Sequence, residues 1–376
     1  MDPVFEYARL RRWPDVEGEN LFASDAADRL IADLARDAVA AAAGGEVVVI
    51  GDAYGALTLA AAAEGATGLR VRQDPLTGEQ ALAANAAELG YSDAYRGLPL
   101  DAELVRDARV VLLRLPRSLD ALDEIATLVA AHAHPEAVVY AGGMLKHMSL
   151  AMNDVLGTAF ASVTASLARQ KARVLTAEHP QPVAVADDRW PRRSHDDELG
   201  ITVCAHGAAF AGTSVDIGTR FLLSVIDAAA PDAHTAIDLG CGTGVLATTL
   251  ALRRPGLRVI ATDQSAAAVA SATATAVANG VADRVTVVRD DGLAGQPDAS
   301  ADLIVLNPPF HIGSAVHTGI AHRMFADAAR VLASGGELWT VWNSHLGYRS
   351  ALERAVGPTR QVARNAKFTV TASRRE

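Results

Sequence analysis

Residues 235–256 read TAIDLGCGTGVLATTLALRRPG. An apolar run, a turn carrying Gly240, Gly242 and Gly244, and an alanine- and leucine-rich helical stretch follow in that order. This is the pattern of a strand handing over to a helix through a tight glycine turn. The same order stands at 46–65, EVVVIGDAYGALTLAAAAEG.

The parallel runs further. GLRVRQDPLTGEQALAANAAELG (68–90) and GLRVIATDQSAAAVASATATAVANG (256–280) each give a short strand, an acidic residue at its end and a helix stopped by glycine. Asp74 and Asp263 lie at the same sequence distance from Gly51 and Gly240. ARVVLLRLPRS (108–118) then matches ADLIVLNPPFH (301–311) in its strand and in one proline, Pro116 against Pro309.

Strands alternating with helices predict a mostly parallel sheet covered on both faces. The expected fold is therefore α/β, with two tandem Rossmann-like domains from an internal duplication. Between the copies, EHPQPVAVADDRWPRRSHDDELG (178–200) is rich in proline and charge and has no apolar period. This places a first domain at 1–180, a linker at 181–200 and a second domain at 201–376. A chain of 376 residues is long enough for two cores.

Composition narrows the function. No apolar stretch is long enough to span a membrane, and MDPVFEYARLRRWPD lacks the layout of a signal peptide, so a cytoplasmic protein is expected. The two cysteines, Cys204 and Cys241, have no CxxC spacing, and the 11 histidines form no HExxH set, so no disulfide framework and no metal are expected. A formal charge of −10 argues against a protein that coats nucleic acid nonspecifically, though not against a local basic patch.

Ligands of open α/β sheets bind beyond the carboxyl ends of the strands. In the second domain that edge begins with Asp238-Leu-Gly240-Cys-Gly242-Thr-Gly244, whose glycines let the backbone approach a ligand and whose following helix offers N-terminal amides. Asp263, at the second strand end, can accept from both hydroxyls of an adenosine ribose or cap the next helix. Asp290 and Asp291 follow the third strand, where either could accept from an adenine amine or simply sit in a solvated turn. The fourth strand ends in Asn307-Pro308-Pro309-Phe310. An exocyclic amine on an aromatic base is a poor nucleophile because its lone pair is delocalised. The Asn307 oxygen and Pro308 carbonyl can each accept one of its N–H groups, proline stiffness keeps these acceptors preorganised, and Phe310 can stack on an extruded base.

These residues resemble a class I S-adenosylmethionine-dependent methyltransferase with an amino-methylating NPPF tetrapeptide. TSVDIGTRFLL (213–223), NPPFH (307–311), AHRMFADAARVLASGGELWTVWNSHLGY (321–348) and NAKFTV (365–370) resemble the RsmC/RlmG group of ribosomal RNA guanine-N2 methyltransferases across 201–376. HLGY, the MF of HRMF and NAKF stand nearer its large-subunit branch. The resemblance implies a degenerate N-terminal copy, and here Val49 stands for Asp238, GDAYG for GCGTG, and Arg114-Leu115-Pro116-Arg117 for NPPF. Asp74 is expected to survive as a relic of the acidic strand end.

The function so implied is methyl transfer from S-adenosylmethionine to the N2 amine of one guanine in ribosomal RNA, 23S rather than 16S. Gly240, Gly242 and Gly244 would hold the methionine part, Asp263 the ribose, Asp290 or Asp291 the adenine, and Asn307, Pro308 and Phe310 the guanine. The first domain would dock RNA, with Lys146, Arg169, Lys171 and Arg173 as phosphate contacts or as a solvated helix face. The partner is ribosomal RNA or a ribosomal subunit, and the protein is expected to be a monomer. Alternatives are an NPPF-type aminomethylase of adenine or protein glutamine, a nicotinamide-dependent oxidoreductase, and a noncatalytic RNA-binding assembly factor.

Overall fold

The computed structural model describes residues 5–181, 189–308 and 316–376, with side chains left aside at 316–318. The chain divides into two compact units, Met1–Trp190 and Pro191–Glu376. The first contains α1 (Ala26–Ala41), β1 (Val47–Ile50), α2 (Ala56–Ala63), β2 (Leu69–Arg72), α3 (Leu76–Leu89), β3 (Tyr95–Gly97) and α4 (Ala102–Val105). It continues through β4 (Val110–Arg114), α5 (Leu119–His132), β5 (Val138–Met144), α6 (Ala151–Gly157), β6 (Phe160–Ala165) and β7 (Ala172–Pro180).

The second unit opens with a hairpin, β8 (Arg192–Asp196) and β9 (Ile201–Ala205), then runs through α7 (Ile217–Leu223), β10 (Thr235–Leu239), α8 (Val245–Arg253), β11 (Arg258–Asp263) and α9 (Ala266–Ala278). It closes with β12 (Val285–Arg289), β13 (Ala301–Leu306), α10 (Val316–Val331), β14 (Leu332–Asn343), α11 (Arg349–Ala355), β15 (Thr359–Arg364) and β16 (Phe368–Arg374). Strand β8 lies inside the stretch read as a linker. Its residues RRSHD are nearly all exposed, so pairing with β9 leaves no apolar period to read.

The two units share one topology. The first sheet runs β3-β2-β1-β4-β5-β7-β6 and the second β12-β11-β10-β13-β14-β16-β15. The first five strands of each are parallel, and the last two add an antiparallel hairpin. Both units are thus Rossmann-like.

Strand parity explains the long apolar runs. On β13, Leu303 and Val305 pack on the face covered by α7, α8 and α9, while Ile304 and Leu306 pack on the face covered by α10 and α11. Successive side chains of a strand point to opposite faces, so a central strand buried on both sides reads as continuously apolar. On β4 the same parity sends Val110 and Leu112 to the face carrying α1. Among the described residues, no helix is long and apolar enough to cross a membrane.

Candidate active site

The glycine turn joins β10 to α8 at the carboxyl edge of the second sheet. Gly240, Gly242 and Gly244 all have positive φ, at 71°, 54° and 75°. At Gly244 a Cβ would lie 2.9 Å from the Cβ of Ala272, so close approach of α9 demands glycine there. At Gly242 a Cβ would meet nothing within 4 Å among the described residues, so the turn there carries no side-chain obstruction from them. The turn is pinned from below by Gly240 N and Cys241 N, which donate to Thr262 O at 2.8 and 2.9 Å.

Two of the expected acids, Asp238 and Asp263, lie at this turn. Asp238 is buried, and its Oδ2 accepts from Ala247 N at 2.9 Å while its buried Oδ1 has no hydrogen-bond partner among the described residues. Burial, with the Asp263 charge as a lesser cause, pushes its carboxyl up to about 7. Asp263 Oδ2 accepts from Gly242 N at 3.0 Å and its Oδ1 from Ser265 N at 2.9 Å. Ser265, rather than Asp263, caps α9. Cys241 is buried and its thiol pushed up by burial, as suits a residue packed under the turn.

The pair after β12 behaves differently. Both oxygens of Asp290 accept from Gly295 N, at 3.2 and 2.9 Å, closing its own loop with the side chain 7% exposed. Asp291 forms an ion pair with Arg323 of α10 at 2.6 Å. Arg323 sits in the quoted AHRMF stretch, yet nothing in its spacing marks it as a partner for Asp291.

At the tip of β13, Asn307 is half-buried and Pro308 buried. Asn307 Nδ2 donates to Asp216 Oδ2 and to Thr219 Oγ1, both at 3.0 Å, and its buried Oδ1 has no partner among the described residues. Pro309 and Phe310 lie outside the described residues. Asp216 and Thr219 belong to the capped start of α7, and sequence reasoning passed over them. The helix-start signal at Asp216 was legible, but nothing local ties it to a strand tip 91 residues away.

The first unit holds the same positions with other chemistry. Ile50 pairs with Arg72 as Leu239 pairs with Thr262, and Gly51 N donates to Arg72 O as Gly240 N does to Thr262 O. Gln73, not Asp74, therefore corresponds to Asp263, and its Oε1 accepts from Ala53 N at 3.0 Å. The expectation that Asp74 is the relic is corrected: equal spacing was misleading because α2, at 8 residues, is one shorter than α8, at 9. Asp52 turns onto the start of α2, accepting from Leu57 N and Thr58 N at 2.7 and 2.8 Å. Where Asn307 would stand, Arg114 pairs with Asp25 at 2.7 Å and Asp28 at 3.0 Å.

The cations expected to meet RNA divide. Lys146 and Lys171 are exposed and brought together, since Leu145 N donates to Lys171 O at 2.8 Å. Arg169 is drawn to Asp33 at 3.4 Å, and Arg173 is half-buried within β7. Arg117 is exposed as well, and desolvation, then the charges of Arg117 and Lys146, lower the His147 imidazole.

S-adenosylmethionine can be tested against the second unit. Its methionine moiety is cationic, and the buried, undonated Asp238 oxygen beside an open glycine backbone suits a cation carried on a small chain. The residues fit.

The carboxyl-edge site on a duplicated Rossmann-like sheet fits a class I methyltransferase with one degenerate copy, and the family models agree. The RLMG N-terminal domain family matches residues 2–181, and the Methyltransferase small domain family matches 200–372. Relatives named Ribosomal RNA large subunit methyltransferase G are 37% identical in Pseudomonas fluorescens (100% of this chain, 99% of that one) and 36% in Streptomyces coelicolor (98% of each). The chain belongs to the ribosomal RNA large subunit methyltransferase G family. The T. thermophilus 16S rRNA N2 G1207 methyltransferase RsmC, solved with AdoMet and guanosine, shares the fold at a TM-score of 0.74 and 21% identity, over 98% of this chain and 99% of that one.

Proposed function

We propose that this protein methylates the exocyclic N2 amine of a guanine in large-subunit, 23S ribosomal RNA, using S-adenosylmethionine. The observation that carries the chemistry is the Asn307 amide, whose two donors are engaged and whose buried oxygen has no partner among the described residues. An undonated acceptor at this strand tip wants an N–H, and an aromatic amine has two. The guanine and the subunit come from family membership and from the resemblance of 201–376 to guanine-N2 enzymes.

When bound, the cofactor supplies an electrophilic methyl group. Gly242 offers bare backbone to its methionine part and Asp238 an anion to its ammonium. Asp263 holds the ribose hydroxyls while shaping the turn, since a carboxylate oxygen can accept more than one hydrogen bond. Asp291 is the better placed of its pair for the adenine amine, because Asp290 is closed into its own loop. Asn307 Oδ1 and the Pro308 carbonyl each accept one guanine N–H, directing the amine lone pair out of the ring plane. Pro309 and Phe310 enter this reading only through the tetrapeptide resemblance, which implies a stiff backbone and a base-stacking ring.

In this reading the first unit docks RNA through Arg117, Lys146 and Lys171, and the second, which takes in the β8–β9 hairpin from the expected linker, catalyses, in a cytoplasmic monomer. Ribosomal RNA from cells with and without the gene, digested and mapped by mass spectrometry, tests it. Loss of one N2-methylguanine from 23S RNA, restored by the purified protein with labelled cofactor, is expected. Unchanged 23S RNA would refute it.

A further inference from the structure

Asn307 can serve as an acceptor only if its oxygen, and not its nitrogen, faces the substrate, and residues outside the NPPF tetrapeptide decide that. The parity of Leu303 and Val305 sends Asn307 off β13 on the α7 face. There both of its N–H groups are taken, by Asp216 Oδ2 and Thr219 Oγ1 at 3.0 Å each. A flipped amide would set its oxygen against the Asp216 carboxylate, acceptor against acceptor.

Asp216 is itself fixed. As the N-cap of α7 its Oδ2 also accepts from Gly218 N at 2.8 Å and Thr219 N at 3.2 Å. Gly218 leaves room for this: a Cβ there would lie 2.9 Å from Asp216 Oδ2 and 3.4 Å from Asn307 Oδ1. The first unit uses the equivalent cap, Asp25 with Asp28, to clamp Arg114. A helix cap reaching a strand tip is thus common to both units, but only the second has an amide there to orient.

We propose that Asp216 and Thr219 are positioning residues that fix the Asn307 amide with its oxygen toward the substrate amine. This rests on the assignment of Asn307 as amine acceptor made above. Thr219→Val removes one of the two acceptors without changing side-chain shape, and Thr219→Ser keeps it. In single-turnover methylation of ribosomal RNA, Thr219→Val should lose about tenfold, Thr219→Ser less than about twofold, with cofactor affinity unchanged in both. In an Asn307→Ala background Thr219→Val should cost nothing further. If Thr219→Val fails to fold, Asp216→Ser, which still caps α7 but cannot reach Asn307, should show the same loss.

Selective 15N-asparagine labelling, with Asn307 assigned by its loss in Asn307→Ala, should show slowly exchanging Nδ2 protons in the wild type and fast exchange in Thr219→Val. A full rate in Thr219→Val, or costs that multiply in the Asn307→Ala background, would overturn the proposal. The exchange measurement needs no RNA. A locked amide in a wild type that methylates no ribosomal RNA therefore refutes the function and upholds the positioning, whereas an amide exchanging freely in the wild type overturns the positioning.

Discussion

At Asp238 one carboxylate oxygen accepts from Ala247 N while the other is buried undonated, and the group is pushed up to about 7. Below that pH the empty enzyme holds a proton which a bound cation must displace. Cofactor affinity should therefore fall as pH drops through 7, by about tenfold between pH 8 and pH 6. Calorimetric titrations at the two pH values check this, and Asp238→Asn should both weaken binding and flatten the dependence. Asn307 acts on the other side of the reaction. Asn307→Ala should lower kcat by about 10²- to 10³-fold, the scale seen when one preorganised hydrogen-bonding group is lost from an active site, with cofactor affinity within about twofold of wild type. Matched kinetics and calorimetry separate the two residues.

The α8–α9 contact sets what the glycine turn tolerates. Gly244→Ala would force a Cβ into a left-handed residue and to 2.9 Å from Ala272, so unfolding in urea should show a loss of about 2–4 kcal/mol. This also explains the alanine-rich helices, since buried Ala268, Ala272 and Ala276 give α9 a face thin enough to lie against the turn and sheet. The strand-turn-helix units were legible because each is written in one continuous stretch of period and glycine. The turn residues of the site were legible for the same reason. Asp216, Thr219 and Arg323 were not, because their partners Asn307 and Asp291 come from distant elements and no local period encodes that meeting. The Asp74 assignment failed differently: counting residues cannot see a one-residue difference that the strand register corrects.

At the scale of the whole chain, two units of one topology carry different residues at corresponding positions among the described residues. In the first, Gln73 replaces the strand-end acid, Asp52 caps the helix start and Arg114 replaces the amide. Calorimetry should find one cofactor per chain, and Asp263→Ala should abolish binding altogether rather than leave a weaker second site. Reversing charge at Lys146 and Lys171 should weaken RNA binding, read by filter retention, without changing cofactor affinity. Arg114 bears on history as well as on stability. Restoring asparagine there would leave Asp25 and Asp28 side by side without their cation, at a cost of about 3 kcal/mol. Asp28 is already pushed up to about 6 by burial with the arginine present, so the folded Arg114→Asn protein would hold its proton more tightly still and its deficit in urea unfolding should be larger at pH 8 than at pH 5. Reversion is thus ratcheted. An asparagine at position 114 would be reached only through a less stable protein, so the two acids that lock the arginine also hold the strand tips of the two units in different chemistries.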